Sequence, residues 1–597
     1  MAGSSDSERD GEADQQRLIP TTRQCVHLLG RAPQSWTEYE TVNTQRHSND
    51  KTPYDVAILG TGIGGSMLGA ILARHGAKVL LIDAGQHPRF AIGESTIPYT
   101  LLTLRILADR YDVPEIKALA TFTDTSRTIG NTFGVKKHFG FLLHHENEPQ
   151  DPREVSQFNT PGLLHEAAHL HRQDTDAYLF HVAIRYGCTA RQNCRVAEVE
   201  FDDSGVTLET VNGEQFRTRY VVDASGFRSP LAEKFGLRED PCRFKHHSRS
   251  LWNHMLDVTP TDKVLDRPRE HRPPVPWYEG TVHHMFERGW FWVIAFDNNK
   301  LSSNPLCSVG LTLDERRYPK PTDISPEEDF YRHAARFPDV ARQYEGAKPA
   351  REWVSTPRLQ YSSSHTVGDR WCLLAHAAGF IDPLFSRGLS NTAEAVNSLS
   401  WRLIRAVKDD DFSAERFEYV DRLQQRLLDH NDELVNAAFI SWCDYDLWTA
   451  VFRAWASGTN AGSYRLSKAI TEFAKDGRDE HFMALEEPPH LGLYWPDHDG
   501  FAKFFESMVS QCDLVEQDML SPRQAADNIY TQLREADFVP KHFGFAERGQ
   551  RFINPTPMRF IKTVRWAMRE GDPKLRGLII NNAKEALKAR VKGQKLY

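Results

Sequence analysis

An apolar segment that runs into a glycine-rich turn restricts this 597-residue chain to few folds. The sequence YDVAILG, residues 54–60, is a short apolar run of the kind that forms a parallel strand buried on both faces. Gly60, Gly62 and Gly65 follow at G-x-G-x-x-G spacing. The pattern then predicts a helix over residues 66–75 and a second strand over residues 78–83. This order predicts a nucleotide-binding βαβ unit and therefore an α/β fold.

The glycine turn also indicates which residues contact the nucleotide. The three glycines allow close approach of the backbone to a pyrophosphate, and the helix N-terminus faces it with free N–H groups. Asp83 ends the second strand, where an acidic residue commonly binds a ribose hydroxyl. Residues 56–73 are apolar enough to suggest a membrane span, but a strand, a turn and a helix explain the same residues and the strand that follows. We therefore expect no membrane span.

Composition argues against several other classes of protein. The formal net charge is −8, so a broad basic surface for nucleic acid is not expected. The eight cysteines include no C-x-x-C pair, which argues against both a zinc site and a disulfide framework. The N-terminus has neither the basic start nor the apolar run of a signal peptide, so we expect a cytoplasmic protein.

Three regions are predicted along the chain. Residues 1–53 are polar and are expected to form a flexible extension. Residues 54–400 contain the nucleotide-binding unit and alternating segments that predict an inserted antiparallel sheet. Residues 401–597 are predicted to be mostly helical. An aromatic row in this last region predicts one helix face, used either for core packing or as a wall against a flat substrate: Phe439, Trp442, Tyr445, Trp448, Phe452 and Trp455.

Two segments predict contacts with a flavin. The turn Asp223-Ala-Ser-Gly226 follows the apolar segment RYVVD and resembles the second flavin-contact motif of glutathione-reductase-like flavoproteins, which favours FAD over NAD. The segment GESTIP, residues 93–98, places Pro98 as the first residue of a helix. The helix entrance would then present backbone N–H groups to a flavin or an anion, so Ser95, Thr96 and Ile97 are candidate contacts. A helix cap without a ligand is the alternative.

An H-E-x-x-H match over residues 165–169 has two interpretations. A zinc protease needs this motif on one helix face, with a third ligand. Here RQDTD, residues 172–176, follows at once and resembles the R-x-x-x-D element of this flavoprotein class, in which the arginine approaches FAD. We therefore predict that Arg172 contacts the cofactor and that no metal is bound.

Several motifs together resemble the flavin-dependent halogenases. GWFWVIAF, residues 289–296, contains W-x-W-x-I, although Ala295 replaces the usual proline; alone, this strand predicts core packing. FIDPLFSRG, residues 380–388, matches F-x-x-P-x-x-S-x-G, and GESTIP matches G-E-[AS]-T-x-P. GVKKHFGF begins at Gly134, where the family carries its essential lysine. Phe385 replaces the glutamate of tryptophan halogenases, which argues against free tryptophan as the substrate.

The resemblance implies a fold, a cofactor and site residues. The implied fold is a glutathione-reductase-like FAD-binding Rossmann domain with an inserted antiparallel β-sheet and a mostly helical C-terminal region. Lys136 is the first candidate for the essential lysine and Lys137 the second, while Trp290 and Trp292 would separate the flavin from the substrate. The halide motif adds one candidate FAD contact, Asp382, and four candidate halide contacts: Pro383, Ser386, Arg387 and Gly388.

The resemblance also implies a reaction and partners. A separate flavin reductase would supply FADH2, and O2 would form a flavin C4a-hydroperoxide that converts chloride or bromide to hypohalous acid. The lysine would then direct the halogen onto an electron-rich phenolic or polyketide substrate, free or tethered to a carrier protein. GVKKHFGF and DPLFSRGLSNT are most similar to halogenases of aromatic polyketides, including the chlortetracycline type.

Two other functions remain open from the sequence. One is a flavin-dependent aromatic monooxygenase, which would add a single oxygen to its product. The other is a non-catalytic component that binds a carrier protein or supports assembly, and that has kept the flavin fold without turnover.

Overall fold

Two β-sheets with a shared helical cover form the molecule. The computed structural model describes residues 53–160, 166–265 and 267–591, and within these ranges the first sheet has eight strands and the second has nine. Residues 1–52 of the predicted extension, and His165 of the H-E-x-x-H match, lie outside the described residues. The predicted fold class is confirmed.

The first sheet contains the predicted nucleotide-binding unit. Tyr54–Leu59 lies between Gln215–Asp223 and Val79–Ile82 and pairs with both in parallel. Val56, Ala57 and Ile58 are fully buried, which explains the continuous apolar run in this strand. The remaining strands extend the sheet at its two edges and beside Gln215–Asp223: Thr189–Arg191, Trp371–Leu373, Val367–Gly368, Gly205–Thr210 and Val196–Asp202.

The second sheet is mostly antiparallel and holds the tryptophan strand Gly289–Ala295 at its centre. Two of its pairings are parallel, Thr281–Phe286 with His138–Leu143 and Phe552–Ile553 with Val155–Asn159. The sheet is therefore mixed. One of its strands, Phe552–Ile553, comes from the C-terminal region beyond residue 400. Its other strands are Cys307–Asp314, Ser248–Leu256, Lys348–Pro349 and Val354–Thr356. A separate antiparallel pair, Gly134–Lys136 with Ala167–His169, is bridged through His169 to Ser95, just before the helix that begins at Pro98.

Helices cover both sheets and dominate the chain after residue 388. No α-helix of the described ranges is both long and apolar enough to span a lipid bilayer. The α-helices are Ile63–Arg74, Pro98–Arg110, Phe122–Thr128, Arg172–Arg185, Pro230–Lys234, Thr261–Val264, Pro326–Ala334, Pro338–Tyr344, Gly388–Asp409, Ala414–Ser441, Tyr445–Asp476, Glu480–Met483, Asp499–Glu516, Pro522–Glu535, Pro557–Arg569 and Pro573–Val591. Short 3-10 helices occupy Pro114–Leu119, Arg269–His271, Trp277–Glu279, Ala375–Ala377, Ala484–Glu486 and Lys541–Phe543.

The aromatic row of the C-terminal region corrects one prediction. Its spacing predicts a single helix face, but Ala414–Ser441 ends before Trp442 and a new helix begins at Tyr445. Asp444 causes the break, because its carboxylate accepts a hydrogen bond from the Leu447 N–H at 2.9 Å and caps the second helix. The aromatic side chains nevertheless enter one buried cluster that also contains Phe139 and the tryptophan strand. The predicted boundary at residue 400 falls inside Gly388–Asp409 and stays a prediction.

Candidate active site

The glycine turn forms a cradle that fits a dinucleotide. Gly60 has a φ of +98°, and a Cβ there would lie 2.5 Å from the Ala224 carbonyl oxygen. A Cβ on Gly65 would lie 2.1 Å from the Gly60 oxygen, so both positions require glycine. Above Gly62, by contrast, the nearest heavy atom would be 3.8 Å away. The helix that starts at Ile63 has no side-chain cap and no acid in its first turn, so its N–H groups are suited to a phosphate.

Two acidic residues beside the cradle are held differently. Asp83 accepts hydrogen bonds from the backbone and hydroxyl of Thr61 at 2.8 and 2.6 Å and pairs with Arg89 at 2.8 Å. Burial raises the pKa of Asp83, but these partners outweigh it and lower the pKa overall. The buried carboxylate of Asp223 accepts hydrogen bonds from its own turn, donated by Ser225, Ser229 and the Leu231 N–H. Asp223 therefore shapes the turn that presents Gly226, which has a φ of +82°.

Arg172 lies next to the cradle. Its guanidinium binds Asp176 through two hydrogen bonds of 2.8 and 3.0 Å and donates to the carbonyls of Ile92 and Gly93. Asp176 is the residue that a Cβ on Gly62 would approach. The structure thus brings Arg172 and the start of GESTIP together beside the glycine turn, and contact of Arg172 with a cofactor stays a prediction.

The GESTIP segment reaches the lysine as well as the cradle. The helix begins at Pro98 as predicted, with Ile97 as an extended N-cap. Thr96 and Ile97 line a cavity that they share with Lys136. Ser95, predicted as a flavin contact, has its hydroxyl within hydrogen-bonding distance of Lys136, Thr281 and Ser386. Contacts of these residues with flavin stay predictions.

The halide motif forms a tight turn ahead of a long helix. The Ser386 N–H donates to the Pro383 carbonyl at 2.9 Å, and Ser386 has a φ of +52°, a left-handed conformation that is strained for a serine. Arg387 is 3% exposed, with its guanidinium 4.1 Å from the Tyr494 ring centroid. Gly388 starts the helix Gly388–Asp409. Arg387 and Gly388 thus occupy a helix N-terminus without a side-chain cap, which suits an anion.

Asp382 precedes this turn and faces the second sheet. One carboxylate oxygen accepts from the Leu384 N–H at 3.0 Å, and the other accepts from the Ser248 hydroxyl at 3.2 Å and lies 3.4 Å from His246 Nε2. Both carboxylate oxygens of Asp382, which the sequence predicts as a flavin contact, therefore already have partners within the protein. Asp382 and Gly388 both line a cleft between this turn and the neighbouring helices.

The two adjacent lysines have opposite environments. Lys136 is 2% exposed, and its Nζ lies 3.4 Å from the Phe139 ring centroid. Burial lowers the pKa of Lys136 well below its ordinary value. The Lys137 side chain is 32% exposed and forms an ion pair with Glu279. Lys136 therefore has the desolvated amine expected of a reactive lysine, and Lys137 has the environment of an ordinary surface residue.

A chain of hydrogen bonds fixes how the Lys136 amine is oriented. His169 Nδ1 lies 2.9 Å from the carbonyl oxygen of Ala295, which can only accept, so Nδ1 carries the hydrogen. Burial, helped by the Lys136 charge, lowers the pKa of His169 to about 3, so Nε2 is bare near neutral pH. Thr281 must then donate its single hydroxyl hydrogen to Nε2, at 3.0 Å.

The donor and acceptor roles in this series of hydrogen bonds extend to Lys136. Because the Thr281 hydrogen is used, its oxygen accepts from Ser95 at 2.9 Å. The oxygen of Ser95 is left as an acceptor, and it receives hydrogen bonds from Lys136 Nζ and from the Ser386 hydroxyl at 2.9 Å. A neutral Lys136 amine must therefore turn an N–H toward Ser95 and keep its lone pair for other partners.

The tryptophan strand forms a wall of the same region. Trp290 and Trp292 are 2% and 5% exposed, with ring centroids 5.6 Å apart. Trp292 donates to the Ser308 hydroxyl at 3.2 Å, and a Cβ on Gly310 would overlap its ring at 2.1 Å. Both rings are core residues, as the spacing alone predicts. Their separation of flavin from substrate stays a prediction.

Lys136 also lines a cavity that does not include Ser386. It has an empty volume of about 1010 Å³ including its mouth. Phe139, Phe158 and Trp455 provide aromatic walls, and Asn159 and Thr459 are among its polar lining residues. This cavity places a buried amine beside aromatic walls, as in a pocket for an aromatic ligand.

Sequence reasoning missed three residues of this site: Thr281, Asn159 and the true role of His169. Thr281 begins the strand TVHHMF, whose polar side chains are buried only through the tertiary structure, so no local signal marks it. His169 belongs to the strand Ala167–His169 and not to a helix, so the H-E-x-x-H geometry of a zinc protease is absent from residues 167–169. Across the described ranges no cluster of His, Cys, Asp and Glu side chains forms a metal site.

Comparisons with known proteins agree with this geometry. A family model described as FAD binding domain matches residues 53–409. Tetracycline 7-halogenase of Kitasatospora aureofaciens is 51% identical over 553 residues, which cover 92% of this chain and 99% of that protein. Monodechloroaminopyrrolnitrin halogenase PrnC of Pseudomonas fluorescens is 46% identical over 507 residues, 85% of this chain and 89% of that protein.

A solved structure extends the likeness to three dimensions. The crystal structure of halogenase PltM in complex with phloroglucinol and FAD matches with a TM-score of 0.81 and 32% identity. The match covers 84% of this chain and 99% of that chain.

Proposed function

The chain belongs to the flavin-dependent halogenases of aromatic substrates, and on this premise we propose that it installs chloride or bromide on an electron-rich phenolic or polyketide ring. FAD is its cofactor, and halide and O2 are its co-substrates. One observation carries the finer proposal. The buried amine of Lys136 is joined through Ser95 to Ser386 of the halide turn and borders a large aromatic-walled cavity.

The residues of the glycine cradle would hold the cofactor. The uncapped helix that begins at Ile63 suits the pyrophosphate, with Arg172 anchored beside Gly62. When bound in its reduced form, FAD supplies with O2 the oxidising power that turns halide into hypohalous acid. The N–H groups at Arg387 and Gly388, aided by the buried guanidinium of Arg387, would hold the halide.

Lys136 would guide the halogen onto the ring. Burial lowers the pKa of Lys136 and so favours the neutral amine, whose lone pair faces away from Ser95. That lone pair can accept a hydrogen bond from hypohalous acid and hold the reagent at the cavity. The ring carbon bonds to the halogen as the oxygen–halogen bond breaks. The ring proton and the released hydroxide then leave together as water.

The proposal includes a separate flavin reductase as the source of FADH2. The sequence carries one G-x-G-x-x-G turn in a strand-turn-helix context and no second nucleotide fingerprint for NAD(P)H. Omitting the reductase from an assay with NADH should abolish product, and supplying chemically reduced FAD should restore it.

The decisive experiment is a reconstituted assay. The protein is incubated with a flavin reductase, FAD, NADH, O2, chloride or bromide, and a panel of phenols, and products are analysed by mass spectrometry. The halogen isotope pattern is the expected result. A product that gains a single oxygen would identify an aromatic monooxygenase instead, and the absence of any turnover would favour a non-catalytic role.

The adjacent lysines provide matched variants for the same assay. Lys136→Ala should abolish the halogenated product while FAD binding, measured by flavin fluorescence, is retained. Lys137→Ala removes a charge from the neighbouring residue and should leave the product. Halogenation that survives in Lys136→Ala and disappears in Lys137→Ala would show that the wrong lysine has been assigned.

A further inference from the structure

The cavity beside Lys136 contains two buried polar side chains that no protein group satisfies. Asn159 lies at the end of Val155–Asn159, opposite His138, and is 2% exposed. Neither its amide oxygen nor its amide nitrogen has a hydrogen-bond partner among residues 53–160, 166–265 and 267–591. Thr459, in the helix Tyr445–Asp476, is 3% exposed, and its hydroxyl has no partner in those ranges either.

Such groups are unusual inside a protein. Leaving a buried polar group without a hydrogen bond costs about 1–3 kcal/mol, and native structures pair most of them. Two serines farther along the helix that carries Thr459 are paired. Ser463 donates to the Thr459 carbonyl at 2.8 Å, and Ser467 donates to Asn582 at 2.8 Å. The Thr459 hydroxyl could bond back to its own helix as Ser463 does, but it has no partner in the described ranges.

Apolar and aromatic side chains also line the cavity. Trp455 packs edge-on against two rings, with centroid distances of 5.1 Å to Phe139 and 5.8 Å to Phe158. Ile97 and Leu101 complete the apolar lining. In pockets of this composition, apolar contacts with the aromatic walls provide affinity, and a few polar groups set the orientation of the ligand.

From this geometry we propose that Asn159 and Thr459 form a substrate-recognition site for an aromatic ring that carries a carbonyl group beside a hydroxyl group. The inference rests on the proposed function and specifies its substrate class. A primary amide offers N–H donors and a carbonyl acceptor side by side. A substrate with a carbonyl acceptor beside a hydroxyl donor can exchange the hydrogen bond between these two groups for one to each end of the amide, whereas a plain phenol satisfies only one end. Thr459 supplies a further hydrogen bond from the helix.

Two bicyclic substrates separate this recognition from ring reactivity. For the wild type and each variant, kcat/KM is measured for 2-acetyl-1-naphthol and for 1-naphthol, and the ratio of the two values is compared across proteins. The acetyl group changes the reactivity of the ring by the same factor in every protein, so only a change in recognition alters the ratio.

Three substitutions test the two side chains. Asn159→Leu keeps the volume and removes both hydrogen-bonding ends, so the ratio should fall about 10-fold or more, in line with the loss of hydrogen bonds from a buried site. Asn159→Asp keeps the acceptor and loses the donors, so the ratio should fall in the same direction. Thr459→Val is isosteric and removes one hydrogen bond. This loss should lower kcat/KM for 2-acetyl-1-naphthol by about 3-fold.

The outcomes distinguish this inference from the function on which it rests. If both naphthols are halogenated and the ratio is the same in wild type, Asn159→Leu and Asn159→Asp, the recognition site is refuted and the halogenase proposal stands. If neither naphthol is halogenated, the dissociation constant of 2-acetyl-1-naphthol is measured by calorimetry on protein loaded with oxidised FAD. An equal affinity in wild type and Asn159→Leu would then refute the site, and a 10-fold weaker affinity would support it. Should Asn159→Leu not fold, Thr459→Val provides the test. A loss of about 3-fold in kcat/KM for 2-acetyl-1-naphthol would support the site, and an unchanged value would refute it.

Discussion

Replacing Thr281 with valine tests whether the hydrogen-bond chain controls the lysine. Valine keeps the shape of threonine and removes the hydroxyl that accepts from Ser95 at 2.9 Å and donates to His169 at 3.0 Å. Each hydrogen bond between neutral groups contributes about 0.5–1.5 kcal/mol, so the two together are worth about 1–3 kcal/mol. If this free energy supports the productive state of the amine, kcat should fall about 5- to 150-fold.

The loss should appear at the halogen-transfer step. Without Thr281 as its acceptor, the Ser95 hydrogen can turn toward the Lys136 lone pair, which is then no longer available to the halogenating agent. The assay measures halogenated product by mass spectrometry and O2 consumption in the same reaction. We expect less product at an unchanged rate of O2 consumption, because the substitution leaves the glycine cradle and the halide turn intact.

Thr281→Ser is the matched control, since it keeps the hydroxyl and removes a methyl group. It should retain most of the wild-type product. Wild-type product formation by a folded Thr281→Val protein would refute the reasoning, because Ser95 would then need no acceptor for its hydrogen. An equal loss in Thr281→Ser and Thr281→Val would trace the effect to packing.

Three further predictions concern Lys137, Glu394 and Asp444. Lys137→Ala breaks a partly exposed ion pair with Glu279, worth about 0–1 kcal/mol, so the free energy of unfolding in urea should change by no more than that. Burial raises the pKa of Glu394 from 4.5 to about 7. The native protein then binds more protons than the unfolded chain between these values, so its stability falls as pH rises through this window, by up to about 3 kcal/mol. Urea unfolding at pH 5 and pH 8 should show that Glu394→Gln removes this loss; an unchanged pH dependence would contradict the assignment. Asp444→Ala removes the cap of Tyr445–Asp476 and should cost about 1 kcal/mol by the same measurement, and a cost near zero would show that the cap is not needed.

Much of the fold was predictable because its signals are local. The strand, glycine turn, helix and strand of residues 54–83 are encoded in consecutive residues. The structure moves the helix start from residue 66 to Ile63 and shifts other bounds by one residue. Gly62 ends the turn with an extended backbone and no side-chain cap, which leaves little in the sequence to mark the boundary. The aromatic row shows the limit of such signals, since its spacing continues across the Asp444 cap that divides it into two helices.

The candidate site divides in the same way. The motifs around Gly60, Lys136 and Ser386 were predictable because each is a short run of residues with its own chemistry. The link between them was not, because the Ser95 hydroxyl meets Thr281 and Ser386 at separations of 186 and 291 residues.

The sequence by itself determined the fold class, the cofactor and a pair of adjacent lysines. Three-dimensional packing determined which lysine is desolvated. Alternation along Gly134–Lys136 and the residues after it places Lys136 and Lys137 on opposite sides. Pairing of Gly134–Lys136 with Ala167–His169 buries Lys136 against Ser95 and Phe139, while Lys137 turns outward to Glu279. Burial, and with it the pKa of the amine, depends on partners far away in the chain, which no local pattern encodes.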